Sequence, residues 1–186
     1  ILITGSSGFL GEELCYFFLK KKNSLFGLDV STPSKQFKNK TKFKFSYCDL
    51  TNKNSTTKIF NKIRPDIVIH CAAKILEENN KKKIWDLNYN TTKHLLKLSN
   101  NLRVKKFIFI STFSIFEENY NKPINEKQKP SYTTLYGETK YRSEIAIMNS
   151  SINKKSVILR CPIIIGKKRS YRLGVLTEMI YKNLNI

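Results

Sequence analysis

The chain has 186 residues, enough for one domain with a sizeable core. Hydrophobic residues make up 40% of it, and no apolar run approaches the ~20 residues of a membrane span. The formal net charge is +20, which draws anionic ligands, but lysines occur in every segment and the runs at 20–22 and 81–83 lack interleaved aromatics, so no specific nucleic-acid surface is read.

In chain order, "ILIT" (1–4) is a short strand ending in a glycine loop, and 9–22 is a helix with an apolar face and a cationic end. "LFGLDV" (25–30) is a second strand, followed by a polar loop over 31–42 containing Pro33. "FKFSY" (43–47) is the third strand, and 55–63 is a short helix stopped by Pro65. "DIVIHCAA" (66–73) is apolar enough for a strand buried on both faces. A helix over 84–101, the strand "KFIFIST" (106–112), a helix over 132–150, the strand "SVILR" (156–160) and a last helix over 174–184 complete the pattern. Strands alternating with helices predict the α/β class, a doubly wound parallel sheet of Rossmann type.

Four cysteines, Cys15, Cys48, Cys71 and Cys161, show no CxxC or metal-type spacing. They are read as reduced, mostly buried thiols of a cytoplasmic protein, and no metal site is expected. No signal-peptide pattern precedes the first strand. The chain opens without a methionine, and a few residues are expected to be missing ahead of it.

"TGSSGFLG" (4–11) sets Gly5, Gly8 and Gly11 between the first strand and the first helix, with Ser7, Phe9 and Leu10 among them. Glycines let such a loop approach a diphosphate, and the helix aims N–H groups at it. Asp29 ends the second strand eighteen residues after Gly11, where a carboxylate can accept from an adenosine ribose. That carboxylate would repel a 2′-phosphate, so NAD is favoured over NADP.

Tyr136 and Lys140 stand four residues apart, on one helical face. The spacing alone is weak, because Tyr16/Lys20 and Tyr89/Lys93 repeat it. Only the 136/140 pair follows a strand that ends in hydroxyls, at Ser111 and Thr112, on the edge where open parallel sheets bind ligands. A free tyrosine, with a pKa of about 10, is a poor base near neutral pH. A nearby ammonium and an oxidised nicotinamide would both favour its phenolate. Thr112, Tyr136 and Lys140 together could move an alcohol proton while a nicotinamide carries hydride.

With "LDV", "CDLT" (48–51), "PDIVIHCAA", "NYNTT" (88–92), "FIFISTFSIF", "YGETKYRSE" and "LRCPIIIG" in the same order, the chain resembles the extended short-chain dehydrogenase/reductases, the NAD-dependent epimerase/dehydratase group. The resemblance implies that Asp49 and Leu50 lie near adenine and that Cys71, Ala72 and Ala73 line the dinucleotide. It also implies that Asn88 supports the site from its helix and that Pro162 and Ile163 approach the nicotinamide. His70 is read as a local hydrogen-bonding residue, His94 as structural or exposed, Trp85 as core, and Glu144 as a helix-stabilising charge.

Dehydratases of this group carry Asp-Glu after the active Thr, whereas Phe113 and Ser114 stand here, so dehydration is disfavoured. The leading expectation is an NAD-dependent nucleotide-sugar epimerase or related oxidoreductase. The stretch 111–130 also resembles the dTDP-4-dehydrorhamnose reductase pattern, with Glu117 where a glycine is common, which keeps a keto-sugar reductase open. A non-catalytic NAD-binding regulatory protein and a basic nucleic-acid-binding module are the rival classes. Family members run to ~300 residues, so 1–166 would be the NAD-binding Rossmann domain and 167–186 the start of a truncated substrate-binding region. A nucleotide-sugar substrate, no membrane partner and a homodimer of the full-length protein are the remaining implications.

Overall fold

A computed structural model describes residues 1–37, 39–75, 80–116 and 123–164. The expected helix over 174–184, the region 167–186 and Glu117 lie outside the described residues. Six parallel strands form one sheet in the order β3-β2-β1-β4-β5-β6. They are β1 (Leu2–Thr4), β2 (Leu25–Asp29), β3 (Phe43–Tyr47), β4 (Ile67–His70), β5 (Lys106–Thr112) and β6 (Ser156–Cys161). The helices are α1 (Phe9–Lys20), α2 (Lys53–Ile63), α3 (Lys81–Trp85), α4 (Thr91–Asn101) and α5 (Leu135–Met148).

Strand periodicity explains the two layers. Leu2, Val68, Phe107 and Phe109 face one cluster, with Phe60 of α2, Leu95 and Leu98 of α4 and Ile147 of α5. Their neighbours Ile3 and Ile69 face the other, with Cys15 of α1 and partly buried Ile108. Both faces of the central strands are therefore covered, which is why those strands read as continuous apolar runs. Phe60, Phe107 and Phe109 are fully buried, each stabilising the fold by about 2–3 kcal/mol. Chain order reverses between β1 and β4, and this opens a crevice at their C-terminal ends.

Several boundaries differ from the sequence reading, for local reasons. Asn52 accepts from Ser55 N–H and starts α2 at Lys53, two residues earlier than expected. Asn80 likewise accepts from Lys83 N–H and starts α3 at Lys81. A π-helical turn, Asp86–Asn90, joins α3 to α4. Strand β4 stops at His70 rather than at 73. Cys71 N–H still reaches Thr4 O, but β1 then turns away at Gly5, and Ala72 N–H goes to the Thr4 hydroxyl. Trp85 is half-buried rather than core, with its ring edge-on to Tyr89 at 5.4 Å. The loop 31–42 holds a 3-10 turn, Lys35–Phe37, whose Phe37 packs under Phe43.

Candidate active site

The first part of the site is the turn from β1 into α1. Gly5 has φ 69 and donates its N–H to Leu28 O at 2.8 Å. Gly11 lies in the first turn of α1, where a Cβ would fall 2.0 Å from Gly5 O. Only a residue without a side chain lets the helix sit that close to the loop. Gly8 caps α1 and, having no side chain, makes no cap hydrogen bond to the first-turn N–H groups around Phe9 and Leu10. A loop and a helix terminus of this form can take a diphosphate.

Asp29 braces that loop. Its Oδ2 accepts from Ser7 N–H and its Oδ1 from Ser31 N–H, each at 2.9 Å, while Ser7 Oγ donates to Ser31 O. Each carboxylate oxygen keeps a lone pair for a ribose hydroxyl. Asp49 is exposed and accepts from Thr51, whereas Leu50 is 4% exposed, part of the core. Cys71 and Ala72 are half-buried beyond β4, with Ala72 against the space that a Gly5 side chain would need, and Ala73 is exposed. Pro162 and Ile163 follow β6 on the exposed surface.

The second part is the end of β5. Thr134 caps α5 by accepting from Gly137 N–H. A Cβ on Gly137 would meet Ser114 O at 2.4 Å, so this glycine lets α5 start hard against the turn after β5. That approach brings the Tyr136 phenol close to the Thr112 side chain. Thr112 Oγ1 also accepts from Ser114 N–H at 3.1 Å.

The electrostatics depart from the sequence expectation. Burial pushes the Tyr136 phenol above the ordinary tyrosine value, hydrogen bonding from Thr112 pulls it down, and the Cys161 thiol adds to the rise. Lys140 is not among the groups that act on the phenol, and its ammonium lies over the face of Phe109, 3.9 Å from the ring centroid. Lys140 is 2% exposed, and burial lowers its pKa to about 7, against upward pulls from Cys71, Glu144 and Cys161. The rival pairs behave differently. Lys20 lies over Tyr16 at 4.4 Å and Lys93 over Tyr89 at 5.3 Å, each cation stacked on its own tyrosine.

Polar networks beneath the rim were only partly legible. Asn88, in the π-helical turn, is 1% exposed. Its side chain accepts from Lys74 N–H and donates to Lys74 O and to Thr139 Oγ1, and its own carbonyl accepts from Thr92 and Ser143. It thereby ties the loop after β4 to α5. Glu144 is no solvated charge: it is wholly buried and accepts from Ser111 and Arg160. The sequence signal for it was Arg160, a charge inside the apolar run "SVILRC".

His70 is a fixed strut. Thr92 donates to Asn88 O, so its oxygen accepts from His70 Nε2–H, and Nδ1 accepts from the Thr4 hydroxyl. Burial lowers its pKa to about 3. His94 is bonded locally, to Thr57 and Lys53 O. The unfolded chain takes up a proton near pH 6.5 that folded His70 refuses until about pH 3, so the unfolded state binds more protons in between. Stability is expected to fall by about 1.4 kcal/mol per unit as pH drops through that window. Thermal midpoints from pH 7 to 4 check this, and the slope should flatten in His70→Gln.

Among the described residues, no three His, Cys, Asp or Glu side chains are grouped to hold a metal, and no helix is long and apolar enough to cross a membrane.

Comparison with known proteins places this geometry. A dTDP-D-glucose 4,6-dehydratase from Dictyostelium discoideum is 31% identical over 209 aligned residues, covering 100% of this chain and 48% of that protein. The UDP-Glc/GlcNAc 4-epimerase structure from Campylobacter jejuni superposes with a TM-score of 0.82 at 28% identity, over 93% of this chain and 56% of that one. Bordetella bronchiseptica WbmG, solved in complex with NAD, gives 0.87 at 21% identity over 99% and 58%, a likeness of fold. The chain thus spans about half the length of the proteins it matches. The sequence profile of the NAD dependent epimerase/dehydratase family covers residues 1–185. The chain belongs to the NAD dependent epimerase/dehydratase family.

Proposed function

We propose that this chain is the dinucleotide-binding part of a nucleotide-sugar epimerase, in which Thr112, Tyr136 and Lys140 handle the proton of a sugar hydroxyl. The observation that carries the reading is the contact of Tyr136 with Thr112 at the end of β5, with Lys140 one helical turn on. The glycine turn fits NAD, because Gly5 and Gly11 let the segment after β4, the loop and α1 close on one another where a Cβ would strike backbone, and Asp29 stands where a 2′-phosphate would be repelled. Gly5 to Gly11 would hold the diphosphate, Asp29 the adenosine ribose, and Cys71 to Ala73 the dinucleotide beyond β4. In this reading residues 1–166 are the NAD-binding domain and 167–186 open the substrate region.

NAD, when bound, supplies the hydride transfer. Tyr136 takes the hydroxyl proton and later returns it. Thr112 hydrogen-bonds the sugar oxygen, and Lys140 holds the nicotinamide ribose. The Campylobacter jejuni relative, a UDP-Glc/GlcNAc 4-epimerase, supports a nucleotide-sugar substrate. The Dictyostelium relative is a dehydratase, but Phe113 and Ser114 give this chain no carboxylate next to Thr112, so elimination is not proposed. A keto-sugar reductase is the second reading, favoured by the burial that keeps the proton on Tyr136.

Isothermal titration is expected to show one NAD+ bound per chain, with NADP+ weaker by about tenfold or more. NMR of UDP- and dTDP-hexoses with the NAD-loaded whole protein, substrate region included, then separates the readings. Epimer formed with no net NADH supports the first, and NADH consumed against a 4-keto-sugar supports the second. A chain that binds neither dinucleotide overturns both.

A further inference from the structure

Resting on that reading, we propose that Glu144 is a positioning residue: clamped by Ser111 and Arg160, it holds Lys140 at the rim as a cation. Glu144 lies one turn after Lys140, on the same face of α5. It is 0% exposed, and a buried carboxylate persists only when it is well paired. Here Ser111 Oγ donates to Oε1, Arg160 Nε lies 3.2 Å from both oxygens, and Arg160 Nη2 donates to Oε2 at 2.8 Å. The guanidinium is held from behind as well, by Glu126 O and by the ring of Phe116.

The placement of the donors gives the clamp its meaning. Ser111 and Arg160 are register partners on β5 and β6, each one residue before the strand end. Next to Ser111 stands Thr112, which touches Tyr136. The triangle therefore pins α5 to the strand ends that carry the rest of the site. A helix advances 1.5 Å per residue, so a one-residue slip would take Tyr136 off Thr112. Packing alone does not require a charge here, because apolar residues of similar volume commonly replace such pairs without loss of stability.

The charge has a recipient. Lys140 faces Glu144 on its own helix, His70 and Cys71 from β4 and its end, Cys161 from β6 and the ring of Phe109 from β5. His70 is neutral, and burial keeps the protons on Cys71, Cys161 and Tyr136. Glu144, ion-paired with Arg160, is the carboxylate in this group.

The test labels the chain with 13Cε-lysine and assigns the Lys140 resonance by its loss in Lys140→Met. In the unaltered chain it is expected to titrate near 7, apart from exposed lysines near ~10.4. Glu144→Gln should move that midpoint down by about one pH unit or more, with the fold checked by circular dichroism. If that variant does not fold, Arg160→Gln serves as the reference, and Glu144→Gln with Arg160→Gln, which differs from it by the carboxylate charge alone, should titrate lower by about one pH unit or more. An unmoved midpoint in either comparison of folded chains overturns the proposal. Added NAD+ separates the two ideas. A Lys140 signal that responds to NAD+ but not to Glu144→Gln rejects the clamp alone. One that falls in Glu144→Gln but ignores NAD+ keeps the clamp and rejects the cofactor reading.

Discussion

Tyr136→Phe is expected to lower turnover by about 10²–10⁴-fold, the range for loss of a positioned proton-transfer group. Thermal stability should change by no more than about 1 kcal/mol. The variant keeps the half-buried ring and deletes one hydroxyl. Thr112 is not orphaned by the change, since it stays hydrogen-bonded to Ser114 N–H and Ser114 Oγ. Turnover and thermal midpoint measured on the same preparation separate chemistry from folding. A variant that keeps full turnover removes Tyr136 from the proposed mechanism.

Gly11→Ala should weaken NAD+ binding by about a hundredfold, equivalent to about 2.7 kcal/mol, and lower stability by about 1–3 kcal/mol. The added methyl would fall 2.0 Å from Gly5 O and 2.8 Å from Gly5 C, and both are backbone atoms that cannot swing aside. Relief requires moving the whole turn, and with it the Ser7 N–H that Asp29 accepts. Gly8→Ala is the control. Its Cβ meets Gly5 O at a milder 3.2 Å, and φ is −75, which alanine adopts freely. Calorimetry on both variants decides the matter: similar affinities in the two would mean that the close approach at Gly11 does not shape the cradle.

What the sequence displays plainly is whatever a strand or turn must satisfy locally. The runs "ILIT", "DIVIH" and "KFIFIST" are apolar because neighbouring residues serve opposite layers, Leu2 and Ile3 being one such pair. Gly5, Gly8 and Gly11 announce a close turn by spacing alone. Long-range partners are not displayed. Glu144 looks like a surface charge four residues from Lys140, and only the register of β5 against β6 brings Ser111 and Arg160 to it. The direction of Lys140 is equally hidden: sequence spacing puts it on the face of Tyr136, but Phe109 takes the ammonium. The early end of β4 at His70 depends on where β1 turns, a fact lodged some sixty-six residues away. No local signal marks the π-helical turn at Asp86–Asn90, because the partners of Asn88 are Lys74 and Thr139.

The seating of β1 beside β4 has a kinetic side. Leu2 pairs with Val68, so the middle of the sheet closes only after a long intervening stretch has been synthesised and ordered. Contacts of such sequence separation slow folding, because the loop entropy is lost before the contact forms. Until β4 arrives, a nascent β1–β2–β3 half presents an unpaired inner edge, the kind of surface on which chains aggregate.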